Sequence, residues 1–272
     1  PLAVSALMLF SNYLHINSKN DFSYLPLFHA ILNGIDTTVW NPEKDALIPK
    51  LFSVKKMEGK AANKAALLKR AGLKDSIGVP IYGSVTRLTD QKGVDFILKQ
   101  KVFFAENDVR LIILGSGDAK LEQGLRKLQS QLPEKVFVAY DYDESLSHLI
   151  EAGSDFFLMP SRFEPCGLNQ MYSQRYGTVP LVSNVGGLAD TVVDVDKDPK
   201  HGTGIVFKAT EAGLKEGLGR SRKLYENLSL FKFTQKNGMT RDFSWKLAAM
   251  EYDDLYKKVL FGESQTHNPW GT

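Results

Sequence analysis

Short apolar runs alternate along the chain with longer amphipathic stretches. The runs are rich in Val, Ile, Leu and Phe, which is typical of strands buried on both faces of a sheet. Six strands are predicted, at residues 80–85, 110–114, 135–138, 156–159, 179–182 and 203–207. Helices are predicted at residues 60–71, 94–101, 119–128, 145–152, 168–176, 210–224 and 243–260, with another beginning at 186. This alternation indicates βαβ units, so we expect an α/β fold with a doubly wound parallel sheet.

Three of the loops that follow predicted strands carry residues suited to binding a sugar nucleotide. All three leave the carboxyl ends of strands, the edge where open α/β sheets bind ligands. Arg87 and Lys92 follow the first strand, where two cations could hold a diphosphate. Glu164 follows the fourth strand and could accept two ribose hydroxyls, and Gly186 and Gly187 follow the fifth and could bring backbone N–H groups close to a phosphate. The alternatives are a helix cap, a plain turn and two solvated surface charges.

Composition and charge argue against several other classes of protein. The 272 residues carry 34 Lys and Arg against 31 Asp and Glu, and no basic cluster is interleaved with aromatics, so nucleic acid is not an expected partner. The single cysteine, Cys166, excludes an internal disulfide. The apolar stretch at residues 1–10 is too short to span a bilayer, so we expect no membrane association and a cytoplasmic protein. The acidic run at 194–198 is expected to be a solvated loop rather than a metal site, and His148 an ordinary polar residue of its helix.

Several segments closely resemble the signatures of one enzyme family, the bacterial glycogen synthases and plant starch synthases. The matching segments are GSVTRLTDQKG at 83–93, RFEPCGL at 162–168, RYGTVPLV at 175–182 and GGLADTV at 186–192. HAILNGID at 29–36 is similar to the family's interdomain segment, and the DFSW segment at 242–245 to its last helix. The chain departs from the pattern at Asn169, where Thr is common. Tyr172 stands where related retaining transferases have a second Glu, which the synthases also lack.

The resemblance implies a Rossmann-like domain that forms the C-terminal half of a two-domain GT-B glycosyltransferase. These synthases transfer glucose from ADP-glucose to the non-reducing end of an α-1,4-glucan with retention, without a cofactor or metal. Arg87 and Lys92 would be the catalytic ligands of the departing diphosphate. The remaining donor contacts implied by the family are Glu164 at the ribose, Tyr142 at the adenine, Asn33 at the glucose, and Gly167, Leu168, Gly186 and Gly187 along the phosphate and sugar.

The resemblance also predicts how the chain is divided. Residues 1–28 match the family poorly and are expected to be a divergent remnant or linker of a preceding domain, residues 29–242 the nucleotide-sugar-binding domain, 243–261 a crossing helix and 262–272 a tail. We therefore expect the chain to bind ADP-glucose yet to need an N-terminal domain for full transfer to a glucan. For a plant protein the expected compartment would be the plastid stroma. A binding module without catalysis and a UDP-sugar-dependent transferase of the same architecture remain alternatives.

Overall fold

Six parallel strands form a single sheet in a computed structural model that describes residues 31–74 and 78–261. The strands are β1 (Ile81–Val85), β2 (Arg110–Leu114), β3 (Val136–Ala139), β4 (Phe156–Met159), β5 (Val179–Ser183) and β6 (Ile205–Phe207). Their spatial order is β3-β2-β1-β4-β5-β6, and every pairing is parallel. The predicted doubly wound parallel sheet is confirmed, and each strand lies within two residues of its expected bounds.

The helices connect the strands and cover both faces of the sheet. They are α1 (Glu58–Arg70), α2 (Val94–Lys99), α3 (Lys101–Glu106), α4 (Ala119–Gln131), α5 (Glu144–Gly153), α6 (Asn169–Arg175), α7 (Gly186–Thr191), α8 (Glu211–Glu226), α9 (Leu228–Met239) and α10 (Trp245–Phe261). Helix α9 was not predicted, because Asn227 both closes α8 and caps α9, so no loop separates the two. Gly72 and Gly177 end α1 and α6 at positive φ, as expected for helix stops.

The core lies in two layers, one on each face of the sheet. In β4, Phe156 and Leu158 join one hydrophobic cluster, whereas Phe157 and Met159 join the other. Successive side chains of a strand point to opposite faces, so a strand covered on both sides must be apolar at every position. The burial of both faces therefore explains why the apolar runs in the sequence are uninterrupted.

His148 is more than an ordinary helix residue, and that expectation was wrong. Its ring is buried, and its Nδ1 lies 2.8 Å from Oδ2 of Asp45, which also accepts the hydroxyl of Tyr176 at 2.6 Å. Trp40 stacks on the His148 ring with centroids 3.9 Å apart. This group fastens the segment before α1 to helices α5 and α6. Asp45 and His148 are 103 residues apart, so no local pattern could pair them.

Asp194 is buried, although the acidic run that contains it was expected to be solvated. Its carboxylate accepts two hydrogen bonds from Nη2 of Arg220, at 2.7 and 2.8 Å, and one from the Val206 N–H at 2.7 Å. Burial alone would raise the pKa of Asp194, but the hydrogen bonds from Arg220 and Val206 outweigh it and lower that pKa. The expectation of a solvated loop holds for Asp196, which is exposed, whereas Asp198 is half-buried.

The predicted domain limits stay predictions. Residues 1–28 and 262–272 lie outside the described residues. At the boundary before α10, the Ile35 N–H donates to the Phe243 carbonyl oxygen at 2.8 Å, so the interdomain-like segment pairs with the residues that lead into the last helix. Across residues 31–74 and 78–261, every helix is too short or too polar to cross a lipid bilayer.

Candidate functional site

The predicted chemical loops meet where the sheet changes direction. From β1 the chain proceeds outward to β2 and β3, and β4 then returns to pair with the other side of β1. After β1 and after β4 the chain therefore continues toward opposite sides of the sheet, and a crevice forms at the carboxyl ends of these two strands, the usual ligand position in such sheets. A cavity of about 330 Å³ lies there. Its lining includes Arg87, Lys92, Glu164, Gly167 and Leu168.

Lys92 and Glu164 form an ion pair inside this crevice. The Lys92 Nζ lies 2.5 Å from Oε2 of Glu164, and the two side chains are 17% and 7% exposed. The Ser161 hydroxyl donates to the same Oε2 at 3.1 Å. The cation and the carboxylate that the sequence assigned to different parts of a ligand are thus in direct contact. The sequence placed them in neighbouring loops but gave no sign of this pairing.

Arg87 supplies the uncompensated positive charge of the crevice. Its side chain is exposed, and it forms no ion pair with any residue in the described ranges. With Lys92 balanced by Glu164, the three charged groups leave an excess of one positive charge. A crevice of this kind attracts an anion such as a diphosphate. Within the described parts of the chain, no three His, Cys, Asp or Glu side chains come close enough together to hold a metal ion.

The loops after β1 and β4 are locked together by backbone packing. Gly93 follows Lys92 with φ at +66°, and a Cβ built on it would lie 1.9 Å from the carbonyl oxygen of Pro160. One residue further on, the Ser161–Arg162 peptide is also held, because the Arg162 N–H donates to the Gln91 carbonyl oxygen at 2.8 Å. Only glycine permits this approach, so the position of Lys92 relative to Glu164 depends on Gly93.

Arg162 strengthens the same connection with its side chain. Its guanidinium donates to both carboxylate oxygens of Asp95, at 2.7 and 2.8 Å, and it lies over the ring of Phe96. The hydrogen bonds from Arg162 lower the pKa of Asp95. Such a bidentate pair fixes orientation as well as distance. Arg162 therefore positions the Glu164 loop on α2, a role that the sequence did not reveal.

The glycine pair Gly186 and Gly187 packs against the Glu164 loop. A Cβ at Gly186 would lie 2.1 Å from the Glu164 carbonyl oxygen, and one at Gly187 would lie 1.9 Å from that of Cys166. The Gly187 N–H donates to the Glu164 carbonyl oxygen at 3.0 Å. In this structure that N–H is satisfied within the protein. Contact of this loop with a phosphate or sugar stays a prediction.

Tyr142 and Asn33 lie outside the lining of the crevice. The Tyr142 side chain is 81% exposed, in the loop between β3 and α5. Asn33 lines a small cavity of about 30 Å³ near Phe243, and it hydrogen-bonds the thiol of Cys166. Burial raises the pKa of that thiol more than the bonds from Asn33 lower it. The predicted contacts of Tyr142 with adenine and of Asn33 with glucose stay predictions.

Asn169 contributes to the crevice in a way that the family pattern left in doubt. Its Nδ2 donates to the Val85 carbonyl oxygen at 2.7 Å, which ties the start of α6 to the end of β1. Asn169 also lines the cavity. Ser161 and Asn169 both belong to the site, although neither was predicted as a site residue. In the sequence, only their positions pointed to the site: Ser161 lies just after β4, and Asn169 lies at the start of α6.

The amino-acid sequence is similar to those of known glycosyltransferases. Residues 69–220 match the protein family described as glycosyl transferases group 1. A glycogen synthase of Opitutus terrae is 47% identical over 231 residues, which are 85% of this chain and 48% of that protein. One of Nitrosomonas eutropha is 47% identical over 235 residues, 85% of this chain and 47% of that protein. The chain thus spans about half the length of these relatives.

One solved structure is similar to the chain in sequence and fold, and another in fold alone. The catalytic domain of starch synthase IV from Arabidopsis thaliana, bound to ADP and acarbose, superposes with a TM-score of 0.82 at 36% identity over 87% of this chain and 50% of that one. A sucrose-phosphate synthase of Thermosynechococcus elongatus, with a TM-score of 0.60, 19% identity and coverage of 89% of this chain and 56% of that one, shares the fold. The family match extends over more than half of the 272 residues, so the chain belongs to the glycosyl transferases group 1.

Proposed function

We propose that this chain binds the nucleotide-sugar donor of a glycogen or starch synthase reaction. In that reaction glucose passes from ADP-glucose to the non-reducing end of an α-1,4-glucan with retention. The proposal rests on one observation: Arg87 and Lys92, from one loop, line a crevice together with Glu164, which lies 72 positions beyond Lys92, at the point where the strand order reverses. The size of the cavity suits a ligand larger than a single ion.

The arrangement of donors and acceptors supports specific roles. The Lys92 ammonium has three N–H donors and uses one on Glu164, so two remain for phosphate oxygens. Both hydrogen bonds that the Glu164 carboxylate accepts from the described residues reach Oε2, which leaves Oε1 for a ribose hydroxyl. Arg87 and Lys92 would stabilise the charge that develops on the ADP as the bond to glucose breaks.

The relatives support the choice of donor and acceptor. Curated relatives at about 47% identity are named glycogen synthase, and the starch synthase IV structure contains ADP and the oligosaccharide analogue acarbose. The chain spans about half the length of those proteins. We therefore propose that a further domain of such a protein supplies the acceptor side of the cleft, and that neither a cofactor nor a metal takes part.

Calorimetric titration of the 272-residue chain with ADP tests the proposal. Arg87→Ala removes the uncompensated cation and should weaken ADP binding by about 1–3 kcal/mol, the range for a hydrogen bond to a charged group. Lys127→Ala on the exposed side of α4 removes one positive charge outside the crevice and should leave the affinity unchanged. Equal ADP affinity for the Arg87→Ala variant and the unmodified chain would overturn the site.

The same titrations separate the proposed donor from its alternative. ADP and ADP-glucose should compete with each other and bind more tightly than UDP and UDP-glucose. A preference for the uridine ligands would replace the synthase assignment with a UDP-sugar transferase of the same architecture. Failure of every nucleotide to bind would reject the crevice as a donor site.

A further inference from the structure

A second cavity opens at the amino ends of the strands, opposite the crevice that Arg87, Lys92 and Glu164 line, which is called the donor crevice below. Asp155, on its wall, directly precedes β4, whereas Glu164 comes after that strand. The cavity has a volume of about 440 Å³ and lies between α1, the end of α8 and α9. Because it meets the amino end of β4, it is separated from the Arg87 crevice by the length of the strand. None of the predicted donor contacts lines it.

The lining of this amino-edge cavity is strongly cationic. Five lysines face two carboxylates: Lys55, Lys60, Lys64, Lys232 and Lys236 against Glu58 and Asp155. Burial lowers the pKa of Lys60 to about 7, so the lining carries an excess of two to three positive charges at neutral pH. Like charges gathered around one cavity repel each other, so their arrangement costs stability unless an anion compensates it. Lys232 and Lys236 are four residues apart on α9, a spacing at which like charges destabilise a helix.

Two of the lysines are already committed to the protein. Lys64 forms a 2.7 Å ion pair with Asp155 and donates to the Tyr225 hydroxyl at 3.1 Å. The buried Lys60 donates from Nζ to the Ala152 and Tyr176 carbonyl oxygens and to the Thr178 hydroxyl. These bonds fix the side chains of both lysines, so neither ammonium is available to a ligand without losing a bond to the protein.

The other three lysines are free to bind a ligand. Lys55, Lys232 and Lys236 are exposed at the rim, and they form no ion pair with any residue of the two ranges that the structure describes. Each ammonium offers three N–H donors. Three such groups around one opening can surround a phosphate, whose oxygens accept several charge-assisted hydrogen bonds.

The remaining wall is apolar and aromatic. Tyr225 and Phe231 pack with ring centroids 5.1 Å apart, and the exposed Leu228 lies beside them. This wall offers apolar contact to an organic group esterified to the phosphate. The volume exceeds the space of one inorganic ion and leaves room for such a group.

We propose that the amino-edge cavity is a second ligand site, which binds a small phosphomonoester. Its phosphate lies among Lys55, Lys232 and Lys236, and the esterified group lies against Tyr225 and Phe231. This site is independent of the donor crevice and does not require the proposed function to hold. The chemistry would also accept inorganic phosphate, but more weakly, because inorganic phosphate makes no use of the aromatic wall.

Calorimetry on the 272-residue chain with phenyl phosphate, and separately with inorganic phosphate, tests this site. Phenyl phosphate should bind more tightly than inorganic phosphate. The double variant Lys232→Ala/Lys236→Ala should weaken phenyl phosphate binding by about tenfold or more, as expected for lost charge-assisted hydrogen bonds. The matched control Lys215→Ala/Lys223→Ala removes two exposed lysines of α8 that do not line the cavity, and it should bind as the unmodified chain does.

Two further measurements locate the bound phosphate. Arg87→Ala should weaken ADP binding and leave phenyl phosphate binding unchanged, and phenyl phosphate should protect Lys232 and Lys236 from acetylation as measured by mass spectrometry. Loss of phenyl phosphate binding in the Arg87→Ala variant would place the phosphate in the donor crevice and overturn the proposal. Equal weakening by both double lysine variants, or no binding at millimolar concentration, would overturn it too.

Discussion

The contact between Gly93 and Pro160 allows the packing that holds Arg87, Lys92 and Glu164 in one crevice to be tested with one methyl group. Gly93 has φ at +66°, and a Cβ there would lie 1.9 Å from the Pro160 carbonyl oxygen. Gly72, at the end of α1, has nearly the same φ of +64°, but nothing lies within 4 Å of its Cβ position. Replacing each by Ala therefore imposes the same backbone cost, and only the first replacement adds a clash.

The expected destabilisation follows from the cost of the left-handed backbone, which both variants share, and from the clash at Pro160, which only Gly93→Ala has. A left-handed conformation costs an L-residue roughly 1–2 kcal/mol, and a Gly→Ala change recovers about 0.4–1 kcal/mol through the unfolded chain. Gly72→Ala should thus lower the free energy of unfolding by roughly 0–1.6 kcal/mol. Gly93→Ala should cost about 1–3 kcal/mol more, the range for overpacking, because a backbone oxygen cannot rotate away.

Urea unfolding monitored by circular dichroism measures both free energies, and calorimetry measures the ADP affinity of each variant. Displacement of Pro160 would carry Glu164 away from Lys92, so Gly93→Ala should also weaken ADP binding, whereas Gly72→Ala should not. Equal destabilisation of the two variants, within about 0.5 kcal/mol, would refute the argument that close backbone packing sets the crevice.

Two other predictions concern the buried network and the activity of the chain. Burial alone would raise the pKa of Asp45, but hydrogen bonds from His148, Tyr176 and the Leu47 N–H lower it below the ordinary value of 3.8. That carboxylate therefore contributes stability that is complete above the ordinary value and is lost as the pH falls through the native pKa. Asp45→Asn should lower the free energy of unfolding at pH 7 by about 1–3 kcal/mol, and the difference from the unmodified chain should be smaller below pH ~4. Urea unfolding across pH 3–7 measures this difference. A difference that does not change with pH would contradict the prediction. The purified chain should bind ADP but extend a glucan from ADP-glucose weakly or not at all in a radiolabel incorporation assay, and robust extension would remove the need for a second domain.

Much of the fold could be read from local patterns. Strand β2 was predicted with its observed bounds, because an apolar run between polar turns is a property of neighbouring residues. The helix stops at Gly72 and Gly177 were equally local. Family motifs then directed attention to Arg87, Lys92 and Glu164, all of which line the same cavity.

The rest depended on contacts between residues that are far apart in the chain. Lys92 and Glu164 are separated by 72 positions, and Asp45 and His148 by 103. Hydrophobic periodicity says which face of an element is buried, but it does not say which polar group will lie opposite once two elements pack. The alternation of strands and helices therefore determined the sheet and the edge that carries the site. Packing between loops determined which charges pair and which glycine must lack a side chain, and packing of α1, α8 and α9 determined where the second cationic cavity opens.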